Sequence, residues 1–127
     1  MNNFLIKSKG WQRLCLAVGH SLRGFCSAWR SEAALRQEAY ACLVLVPLSV
    51  FLPVSIVEHL LLIFSLGLVL VVELVNSAIE AVVDRIGLEY HDLSKQAKDI
   101  GSAAVFVMLS LTTITWLVII GNIFING

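Results

Sequence analysis

Four strongly polar residues share one face of a long apolar segment in the middle of the chain. They are Glu73, Asn76, Glu80 and Asp84. At about 100° per residue on an α-helix, their side chains fall within an arc of about 80°. Clustered carboxylates supply the oxygen ligands that Mg²⁺ prefers. The spacing therefore favours a binding or catalytic face over a purely structural helix.

The depth of Glu73 makes it the catalytic candidate. If the segment enters a membrane near Leu60, about 20 helical residues carry it to Ile79. Glu80 then lies at the headgroup level and Glu73 roughly 10 Å deeper. A carboxylate at that depth costs about 2.5 kcal/mol or more unless it is paired, hydrated or protonated. We expect Glu73 to accept a proton from a hydroxyl group held in lipid. A structural glutamate that hydrogen-bonds two helices together is the alternative.

Two further groups of polar residues surround this face. The following loop and the start of the next apolar segment hold Glu89, Tyr90, His91, Lys98 and Asp99. At a helix N-terminus, Lys98 would add its charge to free backbone N–H groups, and together these suit a phosphate. Glu32 precedes the first apolar segment, where it could act with this site or simply pair with Arg36 on a helix surface.

Together these groups have the geometry of a lipid kinase, with a phosphate donor in water and an alcohol acceptor in lipid. The chain contains neither GxxxxGK followed by Ser or Thr nor GxGxxG, so a nucleotide site must be built without those loops. A small proton-coupled transporter would also explain Glu73. It gives no reason for Glu32, Glu80 and Lys98 to gather on one side. A non-catalytic membrane assembly factor is a third alternative.

The composition is that of an integral membrane protein. Hydrophobic residues make up 58% and charged residues 14% of the 127 residues, whereas soluble domains carry about 25% charged residues. The formal net charge of zero shows no basic excess for nucleic-acid binding. We expect an all-α protein with one membrane-embedded domain over residues 1–127. Its spans should lie near residues 36–57, 60–84 and 99–124, since each can cross a bilayer core of about 30 Å.

Charge and periodicity predict how these segments lie in the membrane. All nine Lys and Arg residues precede the first span or lie between the second and third. The positive-inside rule then places the N-terminus and the 84–100 loop in the cytoplasm and the C-terminus in the periplasm. Residues 11–30 carry an apolar stripe of helical period beside arginines, which is typical of a helix in the headgroup plane. A helix packed on a partner protein is the alternative.

Three spans and one surface helix are too little protein to enclose this polar face and a nucleotide. Polar groups in lipid must be covered by protein or by a water-filled cavity. We therefore expect a homo-oligomer with its sites at the contacts between protomers. The small residues at 101–104 would permit close helix approach there.

Residues 73–85, ELVNSAIEAVVDR, resemble the prokaryotic integral-membrane diacylglycerol kinase family. The resemblance extends through EYHDLS at 89–94, AKDIGSAAV at 97–105 and WRSEAALRQE at 29–38. It implies a homotrimer of the bacterial inner membrane with shared active sites, three transmembrane helices and a surface helix per protomer. It also implies transfer of the ATP γ-phosphoryl group to diacylglycerol, giving phosphatidate, with Mg²⁺ as cofactor.

The same resemblance implies roles for individual residues. Glu73 matches the family's general base, and Glu32 and Glu80 match its Mg²⁺ ligands. The implied ATP-binding residues are His20, Glu32, Asn76, Glu80, Glu89, Tyr90, His91, Lys98 and Asp99. The implied lipid-binding residues are Arg13, Trp29, Glu73, Ser102 and Trp116. His20 departs from the tyrosine that relatives often carry. Some members phosphorylate undecaprenol, and this is the alternative within the family.

Overall fold

The computed structural model describes residues 10–126, which form four α-helices and no β-strand. The helices are α1 (Trp11–Ser31), α2 (Ala33–Val50), α3 (Ile56–Ile86) and α4 (Asp92–Asn126). The last three are long and apolar enough to cross a membrane. The expected all-α architecture with three candidate spans is therefore confirmed.

The turn between α2 and α3 differs from the sequence prediction. The first span was expected to reach residue 57, but α2 ends at Val50 and α3 begins at Ile56. Pro53 has no backbone N–H to continue a helix, and Ser55 is the N-cap of α3. Ser55 Oγ accepts from the Glu58 backbone N–H at 3.2 Å, and Glu58 Oε1 accepts from the Ser55 N–H at 3.3 Å. This capping box satisfies backbone donors that the start of α3 would otherwise leave free.

The core lies between α3 and α4. It is built around Leu62, Leu66, Trp116 and Ile119. Thr112 Oγ1 donates to the Ser65 carbonyl at 3.1 Å and links the two helices. Lipid is as apolar as leucine, so such packing and hydrogen bonding, rather than exclusion from water, hold helices together in a membrane.

The first helix, α1, lies largely outside this core. Ala28 is its buried residue, whereas Trp11 is 76% exposed. Near its end, the Trp29 ring packs edge-on against Tyr40 of α2, with 5.6 Å between the ring centroids. The connection to the rest of the chain is therefore concentrated at the C-terminal end of α1.

Candidate active site

Glu32 is the single residue between α1 and α2, and the backbone turns there. Its φ of −116° and ψ of 107° are extended, while its N–H still donates to the Ala28 carbonyl at 2.8 Å. Arg36 Nη1 donates to the Trp29 and Arg30 carbonyls, which satisfies acceptors at the end of α1. Arg36 thus fixes the α1–α2 corner from which the Glu32 side chain extends.

The corner brings Glu32 to Glu80 of α3. The two carboxyl groups lie within hydrogen-bonding reach of each other. Burial raises the pKa of Glu32 above its usual range, and the neighbouring Glu80 raises this pKa further. Two carboxylates at close range repel each other unless a proton or a cation lies between them. The first feature of the site is therefore an acidic pair that a cation would stabilise.

The donor set of this pair fits Mg²⁺. Proteins usually hold Mg²⁺ through one or two carboxylates, with waters and substrate phosphate oxygens completing the octahedron. Residues 10–126 contain no group of three His, Cys, Asp or Glu side chains placed to hold a metal ion. Glu32 and Glu80 can therefore supply the protein's share of a magnesium site but no complete cage.

A second carboxylate pair lies deeper, between α2 and α3. Glu73 is only 3% exposed, and Glu38 of α2 lies close enough for the two charges to interact. Within the described chain, Glu38 Oε2 is buried and has no hydrogen-bond partner. Glu38 was absent from the sequence-based site. The sequence signal for Glu38 is its spacing: Glu38 follows Glu32 by six residues, and Glu73 precedes Glu80 by seven. In two helices that run in opposite directions, these spacings bring Glu38 to the level of Glu73.

Asn76 lies between the two levels and is 7% exposed. Its Nδ2 donates to Glu80 Oε1 at 3.3 Å, so the side-chain amide orients the Glu80 carboxylate of the Glu32–Glu80 pair. Its Oδ1 is buried and, within residues 10–126, has no hydrogen-bond partner. The predicted face of α3 therefore gathers Glu73, Asn76 and Glu80, with Asn76 packed against Gly101 of α4.

Lys98 lies elsewhere in its helix than the sequence suggested. We expected it at a helix N-terminus, but α4 begins at Asp92, so Lys98 lies inside the second turn. The helix starts early because His91 Nδ1 accepts the Leu93 backbone N–H at 3.1 Å. Lys98 Nζ instead donates to Asp84 Oδ1 of α3 at 2.8 Å. The lysine charge is therefore shared with a carboxylate, which competes with a phosphate for it.

The other predicted nucleotide-binding residues lie in α4, in the loop between α3 and α4, and in α1. Asp99 accepts from Lys95 Nζ at 2.6 Å. Glu89, Tyr90 and His91 are exposed in the short loop between α3 and α4. On α1, His20 is exposed, and its Nδ1 lies 2.7 Å from Arg23 Nη2.

The predicted lipid-binding residues are spread over the molecule. Arg13 is exposed on α1, and Ser102 is exposed on α4. Trp29 is half-buried near the corner. Trp116 packs with Leu62 and Leu66, about 10 Å or more along α3 from the level of Glu73. One chain therefore gathers the carboxylates of the site but leaves these four residues apart from one another.

Known proteins with similar sequences match this chain along nearly their whole length. The diacylglycerol kinase of Escherichia coli K12 is 49% identical over 115 residues, which are 91% of this chain and 94% of that protein. The diacylglycerol kinase of Pseudomonas aeruginosa is 52% identical over 111 residues, 87% of this chain and 90% of that protein. The diacylglycerol kinase of Haemophilus influenzae is 45% identical over 112 residues, which are 88% of this chain and 95% of that protein.

A family model described as prokaryotic diacylglycerol kinase matches residues 19–120. That stretch contains both carboxylate pairs, Asn76 and the Lys98–Asp84 ion pair. The chain belongs to the prokaryotic diacylglycerol kinase family.

Proposed function

We propose that this protein phosphorylates diacylglycerol in a bacterial membrane, using ATP and giving phosphatidate and ADP. The observation that carries the proposal is the pair Glu32–Glu80 at one level with the buried Glu73 roughly 10 Å deeper on the same helix. A water-soluble phosphate donor and a lipid alcohol need sites at these two depths. Membership of the family supports the choice of substrates.

The reaction is a direct in-line transfer. The lipid hydroxyl oxygen forms a bond to the γ-phosphorus while the bond from that phosphorus to the β–γ bridging oxygen breaks, and the leaving group is ADP. Glu73 accepts the hydroxyl proton. Most of the remaining catalysis comes from positioning and electrostatics, as is usual for phosphoryl transfer.

Glu32 and Glu80 would hold Mg²⁺, with Asn76 orienting Glu80 through its side-chain amide. When bound, the metal supplies positive charge to the phosphate oxygens. Lys98 adds charge from α4 after exchanging Asp84 for phosphate. The nucleotide would also contact Asp99, the loop residues Glu89, Tyr90 and His91, and His20 of α1.

The lipid would approach Glu73 from the membrane. Its headgroup region would contact Arg13 and Trp29 at the level of α1 and Ser102 at the cytoplasmic end of α4. Trp116 is 8% exposed in the α3–α4 core, so it would meet an acyl chain only through its exposed edge. In this arrangement α1 lies in the headgroup plane, and the N-terminus and the α3–α4 loop are cytoplasmic. The C-terminus is then periplasmic.

The active unit is a homotrimer with shared sites. Large apolar side chains are exposed along α2, α3 and α4, and Ser102, Ala103 and Ala104 are exposed at the start of the third span. These surfaces are available to lipid and to other protomers. Gly101 alone among the four small residues at 101–104 is buried, and it packs against α3 of its own chain.

Phosphate transfer into lipid tests the activity. Purified protein in mixed micelles should move label from the γ-phosphate of ATP into phosphatidate, and chelation of Mg²⁺ should stop the transfer. Diacylglycerol and undecaprenol offered side by side separate the two lipid substrates. Substrate flux across vesicles without ATP, and no labelled lipid, would overturn the proposal in favour of a transporter.

Mixed oligomers test the shared sites. Chains carrying Glu73→Gln are reassembled with chains carrying Lys98→Met, and activity is measured at an MgATP concentration at which each variant alone transfers little label. If a site combines residues of two protomers, random mixing at equal ratio should recover about one quarter of the wild-type activity. No recovery in verified mixed trimers would mean that Glu73 and Lys98 of one site come from the same chain.

A further inference from the structure

Gly101 lies where α4 approaches the Asn76 side chain of α3. A methyl group on Gly101 would overlap Asn76 Oδ1 and lie 3.2 Å from its Cγ and 3.8 Å from Ile79 Cδ1. Gly101 is itself buried. By contrast, a methyl group on Gly121, in the same helix, would meet nothing within 4 Å. The missing side chain at position 101 therefore leaves the space that the Asn76 amide oxygen occupies.

The position of that oxygen determines what the other end of the amide does. Asn76 Nδ2 donates to Glu80 Oε1 at 3.3 Å, and Oδ1 is buried against Gly101 without a hydrogen-bond partner in the described chain. The amide is planar, so a group that displaces Oδ1 also moves Nδ2 away from Glu80. Asn76 is only 7% exposed, which leaves little space for the amide to turn elsewhere.

We propose that Gly101 is a positioning residue for the reaction. By having no side chain, it keeps the Asn76 amide in the orientation that fixes the Glu80 carboxylate. The inference rests on the proposed role of Glu80 as a magnesium ligand. Residues that orient a metal ligand typically contribute about 10- to 100-fold in metal affinity or activity. Gly101→Ala should produce a loss of that size, although alanine favours a helix more than glycine does.

The test compares Gly101→Ala with Gly121→Ala as the matched control in α4. Purified full-length protein in detergent is titrated with Mn²⁺ and followed by electron paramagnetic resonance. The Mg²⁺ concentration for half-maximal activity and the thermal midpoint without metal are measured in parallel. Gly101→Ala should weaken Mn²⁺ binding and raise the Mg²⁺ requirement by about 10- to 100-fold. Gly121→Ala should match the wild type in both metal measurements, and its thermal midpoint should be equal or higher because alanine favours a helix.

Asn76→Ala, alone and with Gly101→Ala, separates positioning from general packing. Asn76→Ala removes the amide, so adding Gly101→Ala to it should cause no further loss of Mn²⁺ affinity. Equal losses from Gly101→Ala in both backgrounds would overturn the inference. If Gly101→Ala does not fold, the double variant should regain the fold, and Asn76→Ala alone should bind Mn²⁺ more weakly. Failure of either result would overturn the inference as well.

Glu80→Ala distinguishes this inference from the proposed function beneath it. Unchanged Mn²⁺ binding by Glu80→Ala would remove the magnesium role itself. Lost binding by Glu80→Ala, together with independent effects of Gly101→Ala and Asn76→Ala, would remove only the positioning role of Gly101.

Discussion

Replacement of Glu73 by glutamine tests the proposed base most directly. The carboxylate is 3% exposed and lies near other carboxylates of α2 and α3. Glutamine keeps its shape but cannot accept the hydroxyl proton. General-base catalysis contributes about 10²- to 10⁴-fold, which corresponds to about 3–5 kcal/mol of activation free energy. Glu73→Gln should therefore lower kcat by that factor, measured as labelled phosphate transferred to diacylglycerol.

Stability and nucleotide binding show whether that loss is chemical. A neutral amide removes a buried charge, so the unfolding midpoint in sodium dodecyl sulfate should not fall. Affinity for a non-hydrolysable ATP analogue should stay at the wild-type value, because Glu73 lies roughly 10 Å deeper in the membrane than the Glu32–Glu80 pair. Glu58→Gln is the matched control at the other end of α3, where glutamine also serves a capping box. Full turnover by Glu73→Gln would refute the assignment, as would a loss explained by weaker nucleotide binding.

Four further substitutions test the surroundings of the site. Glu38→Met removes a buried oxygen without a partner in the described chain, so the free energy of unfolding should rise by about 1–3 kcal/mol. Equal or lower stability in denaturant titration would contradict this. Asp84→Asn should lower the KM for MgATP because it frees Lys98, whereas Lys98→Met should raise it, and steady-state kinetics compare the two. Arg36→Ala removes hydrogen bonds to two α1 carbonyls and should lower the free energy of unfolding by about 1.5–3 kcal/mol. It should also weaken Mn²⁺ binding through Glu32, and unchanged binding would show that the corner does not position that carboxylate.

The polar face of α3 could be predicted because a membrane helix leaves few choices. In lipid, backbone groups must bond within the segment, so a long apolar run takes a helix whose periodicity is known in advance. Glu73 and Asn76 are accordingly buried together, and Glu80 is half-buried on the same face. The segment between α3 and α4 lacked that constraint. A local hydrogen bond to His91 starts α4 early and places Lys98 inside the helix.

Contacts between helices were harder to infer than the helices themselves. The i, i+4 spacing of Glu32 and Arg36 is typical of an ion pair on a helix surface. The helix break at Glu32 instead directs Arg36 to the carbonyls that end α1. Glu38 was missed for a related reason, since its proximity to Glu73 depends on how α2 packs on α3.

The depths of the two carboxylate pairs explain why the site joins a soluble donor to a lipid acceptor. The axial distance from Glu32 at the start of α2 to Glu38 is about 9 Å, and the distance from Glu80 to Glu73 in α3 is about 10 Å. The two helices run in opposite directions. The pairs therefore lie at two matched levels. Glu32 and Glu80 would hold Mg²⁺ and with it supply positive charge to the phosphates of a water-soluble donor. Seven residues of α3 separate this pair from Glu73, which would accept the proton of a hydroxyl group held deeper in the membrane.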